Sequence, residues 1–200
     1  MKVLAIALAL MTGVSCSQQE RTSLADSSVM TDSSHISPPT TTLDTFAQYN
    51  IILDTNYIPG DVDTTLTKQL PEPIRAVAAF YAAMGGTLCD GEYCQLTTAL
   101  GLGKQGSEEH KDLIKRYFPD DKLASAVLEQ NCYLRPSGAS SFSDYGFLSI
   151  TVLKDTVTVD YDLTHYNRGD FSRTTGPDIY SFDGSTFRKR SRNIWPTLDQ

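Results

Sequence analysis

The run GFLSITVLKDTVTVDYDLTHY, residues 146–166, alternates apolar and polar positions on either side of a Lys154-Asp155 dipeptide. Val157, Val159, Tyr161 and Leu163 share one face of an extended chain, and Thr158, Asp160, Asp162 and Thr164 share the other, because successive side chains of a strand point to opposite sides. Two strands, Gly146–Leu153 and Thr156–Tyr166, joined by a tight turn are therefore expected. Downstream the pattern recurs: Asn167-Arg168-Gly169-Asp170 has turn composition, and Asp183-Gly184 is a hairpin signal between Tyr180–Phe182 and Thr186–Arg188.

Upstream the period lengthens. Pro71 and Pro73 stand where a helix start tolerates proline, Ile74, Val77, Phe80, Tyr81 and Met84 follow at helical spacing, and Gly85-Gly86 supplies a stop. A second helix is expected after Ser107, with Glu108 and Glu109 in its first turn and Leu113, Ile114 and Tyr117 facing inward, ending before Pro119. A third, shorter one follows Asp120-Asp121, and Phe46–Leu53 reads as a leading strand. Helices followed by an antiparallel meander predict an α+β domain, since a parallel sheet would need strands and helices in alternation.

The 200 residues carry a net charge of −7, with 40% hydrophobic and 20% charged. That composition supports a packed core and argues against a phosphate-backbone partner, which clustered Lys and Arg would have to hold; no nucleic-acid partner is expected. No stretch reaches the length of apolar residues that a spanning helix needs. Lys2, the apolar run Val3–Met11 and the small residues before Cys16 have the three parts of a secretory signal. Residues 17–45 hold thirteen Ser or Thr and Pro38-Pro39, and every Phe, Tyr and Trp lies from Phe46 onward. A segment so polar cannot offset its ordering entropy by burial. The expected organisation is a signal peptide at 1–15, a tether at 16–45 that reaches about 30 Å as a coil, and a single α+β domain at 46–200.

Val14-Ser15-Cys16 resembles the end of the lipobox of bacterial lipoproteins, in which the cysteine is acylated and becomes the mature N-terminus. Gly13 departs from that pattern, which usually has an aliphatic residue there, and Gly13 with Ser15 also satisfies ordinary signal cleavage, which would leave Cys16 a free thiol. The resemblance implies lipidation at Cys16 and a membrane partner reached through the lipid, at the outer membrane or the periplasmic face. The helix-then-meander order over residues 71–190 is similar to that of nuclear transport factor 2-like (cystatin-like) domains, cone-shaped folds in which helices pack into a curved antiparallel sheet. That family includes small isomerases and hydratases beside non-catalytic binding modules, so its fold leaves function open.

Cys89 and Cys94, with Gly91 between them, can close a small disulfide loop in an oxidising compartment. A zinc site there would need further ligands from Cys132, His110 or His165, and no paired spacing supplies them; no metal and no cofactor is expected. Cys132 is left over once Cys16 is acylated. Gly101-Leu102-Gly103-Lys104-Gln105-Gly106 satisfies G-x-G-x-x-G but lacks an upstream buried strand and a correctly placed downstream acid, so it reads as a tight loop. Asp54, Asn56, Gly60, Asp61 and Asp63 offer oxygen ligands without calcium-loop spacing, since Pro59 falls where glycine is required, and read as a solvated loop. Tyr161 and His165 share the apolar face of the second meander strand and are the cavity candidates, opposite Asp160 and Asp162. Arg188-Lys189-Arg190-Ser191-Arg192 reads as a protected sheet edge, and Trp195 as a residue folding back onto the domain. These observations predict a lipid-anchored, non-catalytic binding module with a protein or small-molecule partner. The alternative is a small-molecule-binding or isomerase/hydrolase-like protein that uses the concave face of the sheet.

Overall fold

A computed structural model describes residues 42–89, 93–124 and 141–192, apart from the side chains of residues 141, 142, 167, 191 and 192. Contacts divide the chain after Ser37, and every described residue lies in the second unit, Pro38–Gln200. Cys16, His35, Cys132 and Trp195 fall outside the described residues, as do the signal, most of the tether and most of the expected third helix.

The elements run β1 (Phe46–Leu53), β2 (Asp61–Val62), α1 (Thr64–Thr67), α2 (Glu72–Met84), α3 (Gln95–Ala99), α4 (Glu108–Tyr117), β3 (Ser141–Leu153), β4 (Thr156–Asn167), β5 (Asp170–Thr175), β6 (Asp178–Phe182) and β7 (Phe187–Arg192). The fold is mixed helix and strand around an antiparallel sheet ordered β2-β1-β3-β4-β6-β7, with β5 also paired to β4. The helices do not precede the sheet: β1 and β2 come first, and β1 pairs along β3, Phe46 opposite Leu153 and Asn50 opposite Ser149.

Each turn has a local cause. Lys154 adopts a φ of 57°, and Arg168 and Gly169 adopt 52° and 100°, the left-handed geometry of tight hairpins. β5 and β6 occupy two halves of one edge of β4, Asp162–Asn167 facing Asp170–Thr175 and Thr156–Val159 facing Asp178–Ser181. The chain from Asp170 to Phe182 is therefore one long strand interrupted at Gly176-Pro177, where proline has no N–H for the ladder. Asp183 closes the last hairpin by accepting from the backbone N–H groups of Ser185 and Thr186 and from both their hydroxyls. These bonds hold its carboxyl well below the usual carboxylate range.

α2 is buried on nearly every side. Tyr81 faces the sheet, with its ring 5.2 Å from that of Tyr161, while Phe80 stacks on Phe118 at 4.9 Å beyond the end of α4. Small alanines let a second layer approach closely. His110 Nε2 meets the Ala79 carbonyl at 2.7 Å and Gln105 Nε2 the Ala82 carbonyl at 2.7 Å. Ser107 caps α4 through the His110 N–H, and Asp121 caps a helical turn at residues 122–124. The segment 54–60 is largely exposed, as expected of a solvated loop, with Asp54, Asn56, Tyr57 and Ile58 open to solvent, except at its last residue. Gly60 is buried and donates its N–H to the Tyr145 carbonyl at 2.8 Å. A Cβ on Gly60 would lie 2.1 Å from the Gly146 carbonyl oxygen, so the two backbones meet only because residue 60 is glycine.

Candidate functional site

The inner face of the sheet carries Tyr161 at the centre of β4, where it is 3% exposed. Its hydroxyl donates to Asp178 Oδ2 at 3.4 Å, and Tyr81 donates to the same oxygen at 2.8 Å. The Tyr180 hydroxyl lies 3.1 Å from that of Tyr81, and the Lys189 ammonium lies 3.0 Å from Asp178 Oδ1. Tyr145 donates to the Tyr81 backbone carbonyl at 2.8 Å. Burial, reinforced by neighbouring hydroxyls and the carboxylate, pushes Tyr81, Tyr145 and Tyr180 above the usual tyrosine range, so all three remain protonated donors. The group ties α2, β4, β6 and β7 to one carboxylate.

His165 lies four residues along the same strand, roughly 13 Å away at 3.3 Å per residue, and has different partners. Its Nδ1 is 2.7 Å from the Ser143 hydroxyl directly across on β3, and its Nε2 is 3.4 Å from the Thr174 hydroxyl. The two cavity candidates thus share a face but belong to separate hydrogen-bonded groups. On the opposite face Asp162, expected among the outward-facing polar residues, is buried. Arg173 donates to both of its carboxylate oxygens, and Gly146 lies over it. The described grooves are lined elsewhere: one of about 570 Å³ by residues of β1, β3 and Asp54, one of about 460 Å³ by residues 120–123 and 187–189, and one of about 330 Å³ between Asp155 and Arg190. None is lined by Tyr161 or His165.

Cys89 and Cys94 are joined in a disulfide, packed so closely on Gly86 that a Cβ there would lie 1.9 Å from the Cys89 sulfur. The glycines of G-x-G-x-x-G have φ values of 68°, 66° and 73° at Gly101, Gly103 and Gly106. They serve a winding connection from α3 to α4, with a helix rather than a strand directly ahead of it. Asp63 caps α1 through the N–H groups of Thr65 and Leu66, and Asp54 holds the Asn56 N–H at 2.8 Å. The basic run lies on β7, an edge strand of the sheet. There Lys189 turns inward to Asp178, and Arg190 lies 3.5 Å from Asp155. Among the described residues no group of three or more His, Cys, Asp or Glu could hold a metal ion, and no helix is long and apolar enough to cross a membrane.

Asp178, Lys189 and Tyr81 are far apart in sequence and do not stand out there as one group. The inward positions Tyr180 and Phe182 on β6 place Asp178 on the same face, and that alternation was the available signal. No family model, curated protein or solved structure matches the chain.

Proposed function

We propose that the chain is an exported bacterial lipoprotein, acylated at Cys16 and held at the cell envelope. Its α+β unit, built on the nuclear transport factor 2-like (cystatin-like) plan, is a non-catalytic binding module. The observation that carries the binding-module part is the filling of the inner face: Tyr161 rests on Tyr81 and Asp178 with 3% of its surface exposed. The leader, Cys16 and the Ser/Thr-rich tether support the anchor. Mass spectrometry of the mature N-terminus tests it. A diacylglyceryl-modified Cys16 is expected, and an intact Met1 or an unmodified thiol would overturn the anchor.

A second reading, hydrolase-like chemistry on the same face, is favoured by the 2.7 Å contact between the Ser143 hydroxyl and His165 Nδ1, since a serine beside an imidazole can give up its proton as it attacks. Covalent labelling of Ser143 by a fluorophosphonate, lost in His165→Ala, would establish it. An unlabelled protein would dismiss it.

A further inference from the structure

The largest described groove, about 570 Å³, lies on the face of the sheet opposite α2 and is lined by Asn50, Ile52, Leu53, Asp54, Phe147 and Ser149. We infer that this groove binds a neutral saccharide, an assignment that rests on the binding-module reading and names its ligand class. The register of β1 on β3 shifts between Asn50 and Ile52, and that of β3 on β4 between Tyr145 and Phe147. Bulges of this kind re-aim side chains: Leu148 stays in the core while Phe147 lines the groove as a half-buried apolar surface.

The polar groups around that ring are held in place. Asn50 Oδ1 accepts from the Ser149 hydroxyl at 2.9 Å and from Gln48 Nε2 at 3.3 Å, which orients the amide with its NH₂ as the donor left for a ligand. Asp54 Oδ1 accepts from the Asn56 N–H at 2.8 Å, leaving its second oxygen as an acceptor. Groups fixed in this way need little reordering on binding.

Ligand chemistry follows from that set. No Lys or Arg lines the groove and Asp54 is its one charged lining residue; Arg173, which interacts with Asp54 electrostatically, is already paired to Asp162, so the groove offers an anion no cation of its own. A purely apolar ligand would cover the Asn50 NH₂ and the second Asp54 oxygen without offering either a hydrogen-bond partner. A sugar ring offers hydroxyls that both donate and accept, together with a C–H face to lie against Phe147. The volume falls within the usual range for small-ligand pockets, about 300–1,000 Å³.

The test is saturation-transfer NMR on the full chain in a sugar-free detergent, with cellotriose, maltotriose and chitotriose as probes. Saturable transfer to at least one trisaccharide is expected. Asn50→Ala and Phe147→Ala should each weaken it by about tenfold or more, while Thr158→Ala on β4 leaves it unchanged. If Phe147→Ala does not fold, Asn50→Ala at its exposed site decides. Absence of transfer from all three probes, or transfer undiminished in both variants, overturns the assignment. So does light scattering that shows a dimer which Asn50→Ala converts to monomer, since the face would then be occupied by a second copy. Trisaccharides recovered intact and unbound would remove the saccharide alone; cleavage products would instead remove the non-catalytic reading.

Discussion

A sealed imidazole is stable in only one protonation state, and at His110 the surroundings select the neutral one. The side chain is 1% exposed, with Nε2–H directed at the Ala79 carbonyl while Nδ1 accepts from the Gly106 N–H at 3.2 Å. Burial lowers its pKa, opposed in part by the bond to Ala79. Below about pH 6.5, the ordinary histidine value, the unfolded chain takes up a proton that the folded chain refuses, so stability falls as pH drops through that window. Urea midpoints should decrease between about pH 7.5 and 5.5, and His110→Asn should flatten that slope; an unchanged slope would remove His110 as its source. Position 110 is legible in hindsight, since Leu113, Ile114 and Tyr117 follow it at three, four and seven residues and place it on the inward face of α4. A lone histidine nonetheless suggests a metal ligand before a packed side chain, because its chemistry is more conspicuous than its packing. Gly86 makes a second residue-scale case. Gly86→Ala drives a Cβ into both disulfide sulfurs, 1.9 and 2.8 Å away, and should cost about 1–3 kcal/mol, the range for overpacking. Most of that loss should disappear in a Cys89→Ala, Cys94→Ala background, as measured by a double-mutant cycle in urea.

At the level of elements, the edge strand β7 is fastened from beneath by a buried ion pair. Lys189 reaches inward to Asp178, which is 3% exposed and already accepts from Tyr81 and Tyr161. Removing the ammonium takes a charged partner away from a buried carboxylate that also accepts from two tyrosine hydroxyls. Lys189→Met should therefore destabilise by about 2–4 kcal/mol, somewhat less than a fully buried pair because the lysine retains some exposure. Adding Asp178→Asn should recover much of the loss, and hydrogen exchange should show β6 and β7 opening first in the single variant. A Lys189→Met protein as stable as the parent would mean that the β6 ladder and the Phe182–Phe187 contact hold the strand without help from the ion pair. The run Arg188–Arg192 read correctly as a sheet edge because charge on a terminal strand discourages pairing with another chain. Its division of labour was hidden, because the register shift between Ile179 and Tyr180 decides which residue opposes which. Hairpins and the long helices announced themselves by period and turn chemistry. β2, α1 and α3 did not: two, four and five residues are too few to show a period.

For the molecule as a whole, the question is whether anchoring and folding are separate properties. Every described contact of the core lies within Leu43–Phe187, and Cys16 lies far upstream across a segment without a single aromatic residue. If Cys16 is acylated, the energy holding the chain to a membrane comes from its acyl chains, about 0.8 kcal/mol for each buried CH₂, and none of it is shared with the packing of α2 on the sheet. Cys16→Ala should then move the protein from the membrane fraction to the soluble fraction of a bacterial host, while its urea midpoint matches that of the parent. A variant that left the membrane but also lost stability would place residues near the N-terminus in the folded unit and merge the two properties. A variant that stayed on the membrane would transfer the anchoring to another part of the chain, with the exposed Phe46 and Leu153 pair at the start of β1 and end of β3 the first place to substitute.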